Sequence, residues 1–554
     1  MRGGTTSSTP GGASAELRSE RAPQGEATPG EDAPPDAPDA AEDTPAPTRP
    51  RPSRSRMWAG RALGLASVFI GTATLLATGH GNRRVELDTY WQLADLRVLA
   101  HDPLGSVWYL HTQPPAYNIV VGLLAWLGLP ITGSVFAVYV ASLAGIALLL
   151  HGLLVRLGVG PIVAGVIVAV TLLNPSLLAT MSISSYETPV ALLLIGSLYA
   201  MVRYLETPRT GWLLATAGLL TLTAMTRSLF NPPWVLAVLA LVLVARRVTL
   251  RQAAAAFAIP VVLIGGWMLK NEIVFGVPTT SSWLGFNMQR GIVAPMDAEL
   301  VRADVESGKV SDLALEYPWG LLDQYEKWLD GCRPVHANEA VSAEEKPPYN
   351  GIAIANFNNE CYIPVYNQAQ WDALTLVRRH PARYLHDRVP ALAMSYQPAT
   401  IGRPDTWLDK AYGTVLLPVH VTIGMSDWNL PLVKGIETTG LPITVSLTLI
   451  SLSLFVAGRG VLALVRMVRI GWRDRASWPA GELVWLVVAF TTAVIVLGGD
   501  LIEFGENGRF RATLDPLLLA LPLAALALVI QRRRERPDPD PDPDTEPEPS
   551  LPPA

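Results

Sequence analysis

The feature that most constrains this chain is a series of apolar blocks, each about 15 to 25 residues long and almost free of charge, recurring between residues 57 and 531. At a rise of about 1.5 Å per residue, a helix needs about 20 residues to cross roughly 30 Å of hydrocarbon. The blocks at 64–78, 131–155, 161–179, 212–226, 252–268, 437–457, 483–498 and 514–531 match that need, the shortest with flanking residues added. Glycine and proline inside them would break soluble helices, but neighbouring helices compensate in a membrane bundle. Half of the 554 residues are apolar and 16% are charged, against about a quarter charged in a soluble domain. The expected fold is therefore an all-α polytopic membrane protein of about ten transmembrane helices.

Charge gives the bundle a direction. Residues 1–56 form a tail rich in Ala, Pro, Gly, Thr, Ser and Glu, which cannot repay the entropy of folding. Arg49, Arg51, Arg54 and Arg56 precede the first apolar block, so it reads as an uncleaved span whose basic flank stays in the cytoplasm. Seven spans over 57–270 then return to loops holding Arg156, to Arg203 and Arg209, and to Arg246, Arg247 and Arg251. Three more over 437–531 return to Arg459, Arg466, Arg469, Arg473 and Arg475, and end at Arg532, Arg533 and Arg534. The C-terminal tail, 532–554, is Asp-Pro-rich and, like the N-terminus, cytoplasmic, which suits a multi-pass plasma-membrane protein. Two regions remain outside: the first loop, 79–130, and the stretch 271–436. Within the first loop, 116–130 is apolar but too short to cross, and counting it as a span would put every later basic loop outside. It reads as an interfacial or re-entrant helix started by Pro114 and Pro115.

The polar groups worth testing gather on that outer side. Glu86 and Asp88 follow the first span, with Tyr90 and Trp91 beside them. A carboxylate desolvated beneath a protein lid gains basicity and suits proton abstraction from a hydroxyl; the alternative is a solvated loop. The pair could also hold Mg²⁺ or Mn²⁺, although no dense acidic cluster requires a metal. His111, Gln113 and Tyr117 would bind substrate or anchor the loop. Glu187 in SSYETP, Arg227 in MTRSLFNPP and Lys270 mark the outer ends of spans, where ions face a cavity or each other, or snorkel to the interface. GGDLIEFGENGRFRATLDP places Glu506, Arg509 and Arg511 where the positive-inside rule disfavours Arg; they suit phosphate recognition or ion pairing with Glu506 and Asp515. SSWLGFN (281–287) and FNNECY (357–362) offer aromatic and amide groups suited to sugars. Cys332 and Cys361 are the only cysteines, either bridged across an oxidising compartment or two buried thiols.

Together, the carboxylate in ELDTY after the first span, the QPPAYN turn entering a juxtamembrane helix, the small polar turns and GENGRFRATLDP before a late span resemble the GT-C superfamily of integral membrane glycosyltransferases. That superfamily includes protein mannosyltransferases, the aminoarabinose transferase of lipid A and arabinosyltransferases. The resemblance covers about residues 57–531 and implies transfer of a sugar from a polyprenyl-phosphate donor to an acceptor hydroxyl of a cell-envelope glycan, lipid or protein, with inversion. It implies Asp88 as general base, with Glu86 as the alternative, while topology and charge suggest Arg227, Lys270 and Arg509 for the departing phosphate.

A transporter or flippase of lipid-linked saccharides is the main rival, and a non-catalytic scaffold a third reading. Transport would be accompanied by paired repeats, broken spans and ions near the midplane, whereas the ions here sit at the outer edge. The absence of a basic domain with interleaved aromatics argues against nucleic acid as a partner. Cysteines introduced at 120–125 should react with a membrane-impermeant thiol reagent from the outside of intact cells. Labelling only from the cytoplasm would overturn the threading from residue 131 onward.

Overall fold

The computed structural model describes residues 53–77, 87, 89–174, 177, 186–246, 248–349, 351–396, 447–471, 473–504 and 507–535. Among them, seven helices are long and apolar enough to cross a membrane: Arg54–Ala77, Ile131–Arg156, Glu187–Glu206, Leu250–Phe275, Thr448–Ile470, Ala480–Ile502 and Asp515–Arg534. The protein is a largely helical, multi-pass membrane bundle. Its sole sheet among the described residues is a two-stranded antiparallel pair, Glu345–Tyr349 with Ile352–Ala355.

Three of the ten expected crossings are helices of fewer than 18 residues. Pro161–Leu172 has 12 residues, Thr210–Thr226 has 17 and Pro232–Val244 has 13, so length by itself does not carry them across. Asn231, whose side chain accepts from Trp234 N, and the following Pro232-Pro233 fix one of these ends. The shortest is nevertheless held inside the bundle. Gly60 and Gly165 let Arg54–Ala77 lie directly on it, and a side chain at either glycine would strike the facing backbone. The segment read as non-spanning becomes Ala116–Trp126, an 11-residue helix begun by Pro115 and about 16 Å long.

The expected span at 437–457 extends further at its C-terminal end. Residues 437–446 lie outside the described residues, and the helix runs over Leu447–Ile470, taking in Arg459, Arg466 and Arg469, which the sequence reading had assigned to a loop. Glu482 explains how a helix tolerates them: it pairs with Arg466 and lies 3.6 Å from Arg459, whose guanidinium also covers the Trp485 ring. The helix continues beyond residue 457 because ion pairing with the next span neutralises the charge of Arg459 and Arg466.

Residues 271–396 fold around an aromatic core. Phe286 meets Trp319, Tyr325 and Tyr366 at centroid separations of 5.3, 5.3 and 4.8 Å, and Tyr362 stacks on Tyr366 at 5.7 Å. Gly285 permits this packing, since any side chain there would collide with the Tyr366 carbonyl. A disulfide joins Cys332 to Cys361, at the start of helix Tyr362–Arg379. Asp304 accepts from Arg379 and His380 at 2.8 and 2.7 Å, and Arg379 holds its carboxyl below the usual range.

Buried polar contacts dock the first loop onto this region. The His111 N–H donates to Asn358 Oδ1 at 2.9 Å, and its ring lies 2.6 Å from Ser282 Oγ and 3.0 Å from the Asn358 carbonyl. Lys270 Nζ donates to the Leu110 carbonyl at 2.7 Å. Burial lowers the His111 pKa from 6.5 to about 3, so the docked ring is neutral. In the unfolded chain it takes up a proton below about 6.5, which means that its contribution to stability is present above that pH and lost as pH falls from 6.5 towards 3. Thermal unfolding of the wild type should therefore weaken more steeply on acidification than that of His111→Asn; equal slopes would exclude this group as a source of acid sensitivity.

Candidate functional site

The site starts from how residues 90–94 are held. Asn118, in the first turns of helix Ala116–Trp126, accepts from Ala94 N at 2.8 Å and donates to the Gln92 carbonyl at 3.0 Å. From the other side, the buried Lys346 ammonium donates to the carbonyls of Tyr90 and Leu93, the former at 3.0 Å. The strand Glu345–Tyr349 thus clamps the first loop against the juxtamembrane helix. This clamp sends Tyr90 and Trp91 into two different side-chain groups.

The first is a charged and aromatic cluster. Arg509 Nε donates to Glu187 Oε1 at 2.6 Å and its Nη2 to the Tyr90 hydroxyl, while Arg227 Nη1 reaches the same Glu187 oxygen at 3.4 Å. Arg227 also lies 4.7 Å from the Phe510 ring centre and 5.2 Å from that of Tyr186. Glu187, Arg227 and Arg509 are each at most 5% exposed, so one buried carboxylate serves two buried guanidinium groups. Burial holds the Tyr90 phenol well above its ordinary pKa, an effect opposed by Arg509. Tyr117 completes the group, with its hydroxyl 3.0 Å from that of Tyr139 and its ring edge-on to Tyr90 and Tyr186.

The second group is a wall of indoles. Trp91 stacks on Trp319 at 5.3 Å, and Trp283 meets Trp319 edge-on at 4.9 Å. Trp319 has φ of 78°, a left-handed conformation that costs a bulky residue on the order of 1–3 kcal/mol. The turn is fixed from both sides: Gly320 N donates to the Tyr325 hydroxyl at 3.0 Å, and the Tyr362 hydroxyl donates to the Gly320 carbonyl at 2.9 Å.

Both groups border one cavity of about 460 Å³. Arg227, Tyr186 and Phe510 contribute from the first, and Trp91, Trp283 and Trp319 from the second. Gln113, Asn287 and the ion pair Arg290–Glu503, at 2.5 Å, also line it. Among the described residues Arg227 Nη2 has no hydrogen-bond partner, leaving a buried donor unsatisfied on a side chain that borders this space.

The residues expected from the sequence divide accordingly. Gln113 and Arg227 line the cavity; Glu187, Arg509 and Tyr117 form its charged and aromatic support. His111 and Lys270 are spent on docking the first loop, Lys270 also lying 3.6 Å from the Trp267 ring centre. Glu86, Asp88 and Glu506 lie outside the described residues. The FNNECY amides, read as sugar contacts, are committed to backbone: Asn358 donates to the Tyr109 and Ala340 carbonyls at 3.1 and 3.0 Å. Arg511 pairs with Asp515 and donates to the Ser395 carbonyl at 2.6 Å. Among the described residues, no three His, Cys, Asp or Glu side chains are grouped to hold a metal.

The sequence reading missed Trp319, Arg290 and Lys346. The turn signal Tyr-Pro-Trp-Gly at 317–320 was available for the first. No local pattern marks the other two, because their partners Glu503 and the 90–93 carbonyls are remote in sequence. No protein-family model, curated protein or solved structure matches this chain.

Replacing Glu187 by Ala would leave Arg227 and Arg509 buried without their shared carboxylate. The expected cost is about 3–5 kcal/mol, read as a lower unfolding midpoint in detergent or nanodiscs. A loss below about 1 kcal/mol would mean that the two cations are compensated elsewhere.

Proposed function

We propose that this protein is a glycosyltransferase that moves a sugar from a polyprenyl-phosphate donor to an acceptor hydroxyl of a cell-envelope glycan, lipid or protein, at the outer face of the membrane. The observation that carries the reading is Arg227: a buried guanidinium, with one nitrogen unpaired among the described residues, lining a cavity whose other charged residues, Arg290 and Glu503, pair with each other. Such a group neutralises a departing phosphate where water is scarce and its charge acts at full strength. Arg509, held by Glu187 and Tyr90, adds a second positive charge to the same cluster.

In this mechanism the acceptor oxygen attacks the anomeric carbon as the bond to the phosphate oxygen breaks, inverting the configuration. No protein nucleophile is needed. Asp88 takes the acceptor proton, with Glu86 as the alternative base. Asp88 precedes the clamped Tyr90–Trp91 segment by two residues, which ties the proposed base to the chain that enters both walls of the cavity. A divalent cation held by Glu86 and Asp88 would add charge neutralisation at the same phosphate.

A specific observation favours the second reading, a transporter or flippase of lipid-linked saccharides. π-helical turns at Val261–Gly265 and Val494–Gly498 interrupt two spans, and Val494 and Gly498 line the cavity. The two are separated by an assay of the full chain in proteoliposomes with radiolabelled polyprenyl-phosphate sugars. Transfer should fall by about a hundredfold or more in Asp88→Asn and Arg227→Gln. Full transfer by both folded variants would reject the mechanism, and transbilayer movement without transfer would favour transport.

A further inference from the structure

Trp91, Trp283 and Trp319 form a continuous aromatic surface on the cavity. Trp91 keeps 37% of its surface accessible although its ring is stacked on Trp319. Beside it, Gln113 is 96% buried (4% exposed), lines the cavity and has no hydrogen-bond partner for its side-chain amide among the described residues. Asn287 adds a second lining amide that is likewise unpartnered. A strained tryptophan, an accessible indole and two cavity-lining amides on one surface are more than a packing contact requires.

Apart from Arg290, which lies 5.6 Å from the Trp319 ring centre and is paired with Glu503, the side chains of that surface are neutral. A phosphate would need the guanidinium groups of the other cluster, and a polyprenyl chain would leave the amides unsatisfied. A sugar ring presents an apolar C–H face with a rim of hydroxyl groups that both donate and accept, matching an indole flanked by carboxamides. Trp283 and Trp319 belong to the 271–396 region rather than to the membrane-spanning helices, and Trp91 comes from the first loop.

We infer that the Trp91–Trp319 wall with Gln113 is a subsite for a neutral saccharide ring, and that the acceptor is therefore a glycan rather than a protein or a simple lipid hydroxyl. The assignment of that sugar as acceptor rests on the transferase reading; the subsite itself does not. The ring stacks on Trp91, and the Gln113 amide exchanges hydrogen bonds with its hydroxyls.

The test is direct binding to the full chain in nanodiscs, by saturation-transfer NMR and tryptophan fluorescence. The probes are neutral oligosaccharides of mannose, glucose, galactose and arabinose. At least one should bind. Trp91→Ala and Gln113→Leu should each weaken it about tenfold or more, whereas Trp91→Phe, which keeps an aromatic face, should stay within about threefold. Unfolding midpoints identify variants that fail to fold, and having two independent positions keeps the test decisive. Absence of binding by every probe, or undiminished binding by folded Trp91→Ala and Gln113→Leu, overturns the inference even if transfer activity is found. Trp91-dependent binding without any transfer from polyprenyl-phosphate sugars upholds the subsite and rejects the transferase.

Discussion

A single carboxylate, Glu187, joins parts of the chain that hydrophobic packing alone would leave apart. It begins one span, receives Arg227 from the end of a second helix and receives Arg509 from the turn before the last span. Each guanidinium is nearly inaccessible to water, a position that is tolerable only with a counter-charge and hydrogen bonds. Arg227 and Arg509 thus meet on one acid, with the rings of Tyr90, Tyr186 and Phe510 centred 4.7 to 5.5 Å from the guanidinium carbons.

The cavity depends equally on what closes over it. The region 271–396 has its own aromatic core and disulfide, and Lys346 and Asn358 fasten it to the first loop through backbone groups, while Asn118 braces that loop internally and Lys270 holds it from the end of a span. Side chains that saturate backbone groups in this way fix a loop more narrowly than apolar contact does, because each bond has a direction. They set Tyr90 on the charged side and Trp91 on the indole side, so adjacent residues serve chemically different surfaces.

Several elements were legible because the bilayer makes deviations conspicuous. Uncharged runs identified most of the helices, and charges at their ends identified Glu187, Arg227 and Arg509 one by one. Where the reading failed, the cause was compensation by a remote partner. Glu482 lets a helix continue through Arg459 and Arg466, and the contact of Gly60 with Gly165 lets a 12-residue helix sit deep in the bundle. For His111 the sequence left substrate binding and loop anchoring open, and nothing local reveals that Ser282 and Asn358 hold its ring or that Lys270 is bonded to the Leu110 carbonyl.

The sequence by itself determined that this is a helical membrane protein, where many of its helices lie and which charged groups stand at their ends. These follow from length, hydropathy and the cost of placing charge in hydrocarbon, all of which are local quantities. The tertiary structure decided that Glu187 and Arg509, 322 positions apart, meet, and that Trp91 and Trp319 stack in one wall of the cavity. It also decided which polar side chains are consumed in docking and which, like Gln113 and Arg227, remain turned to that space. Pairing between remote residues leaves no periodic trace in a chain, so it becomes visible only when the helices are packed.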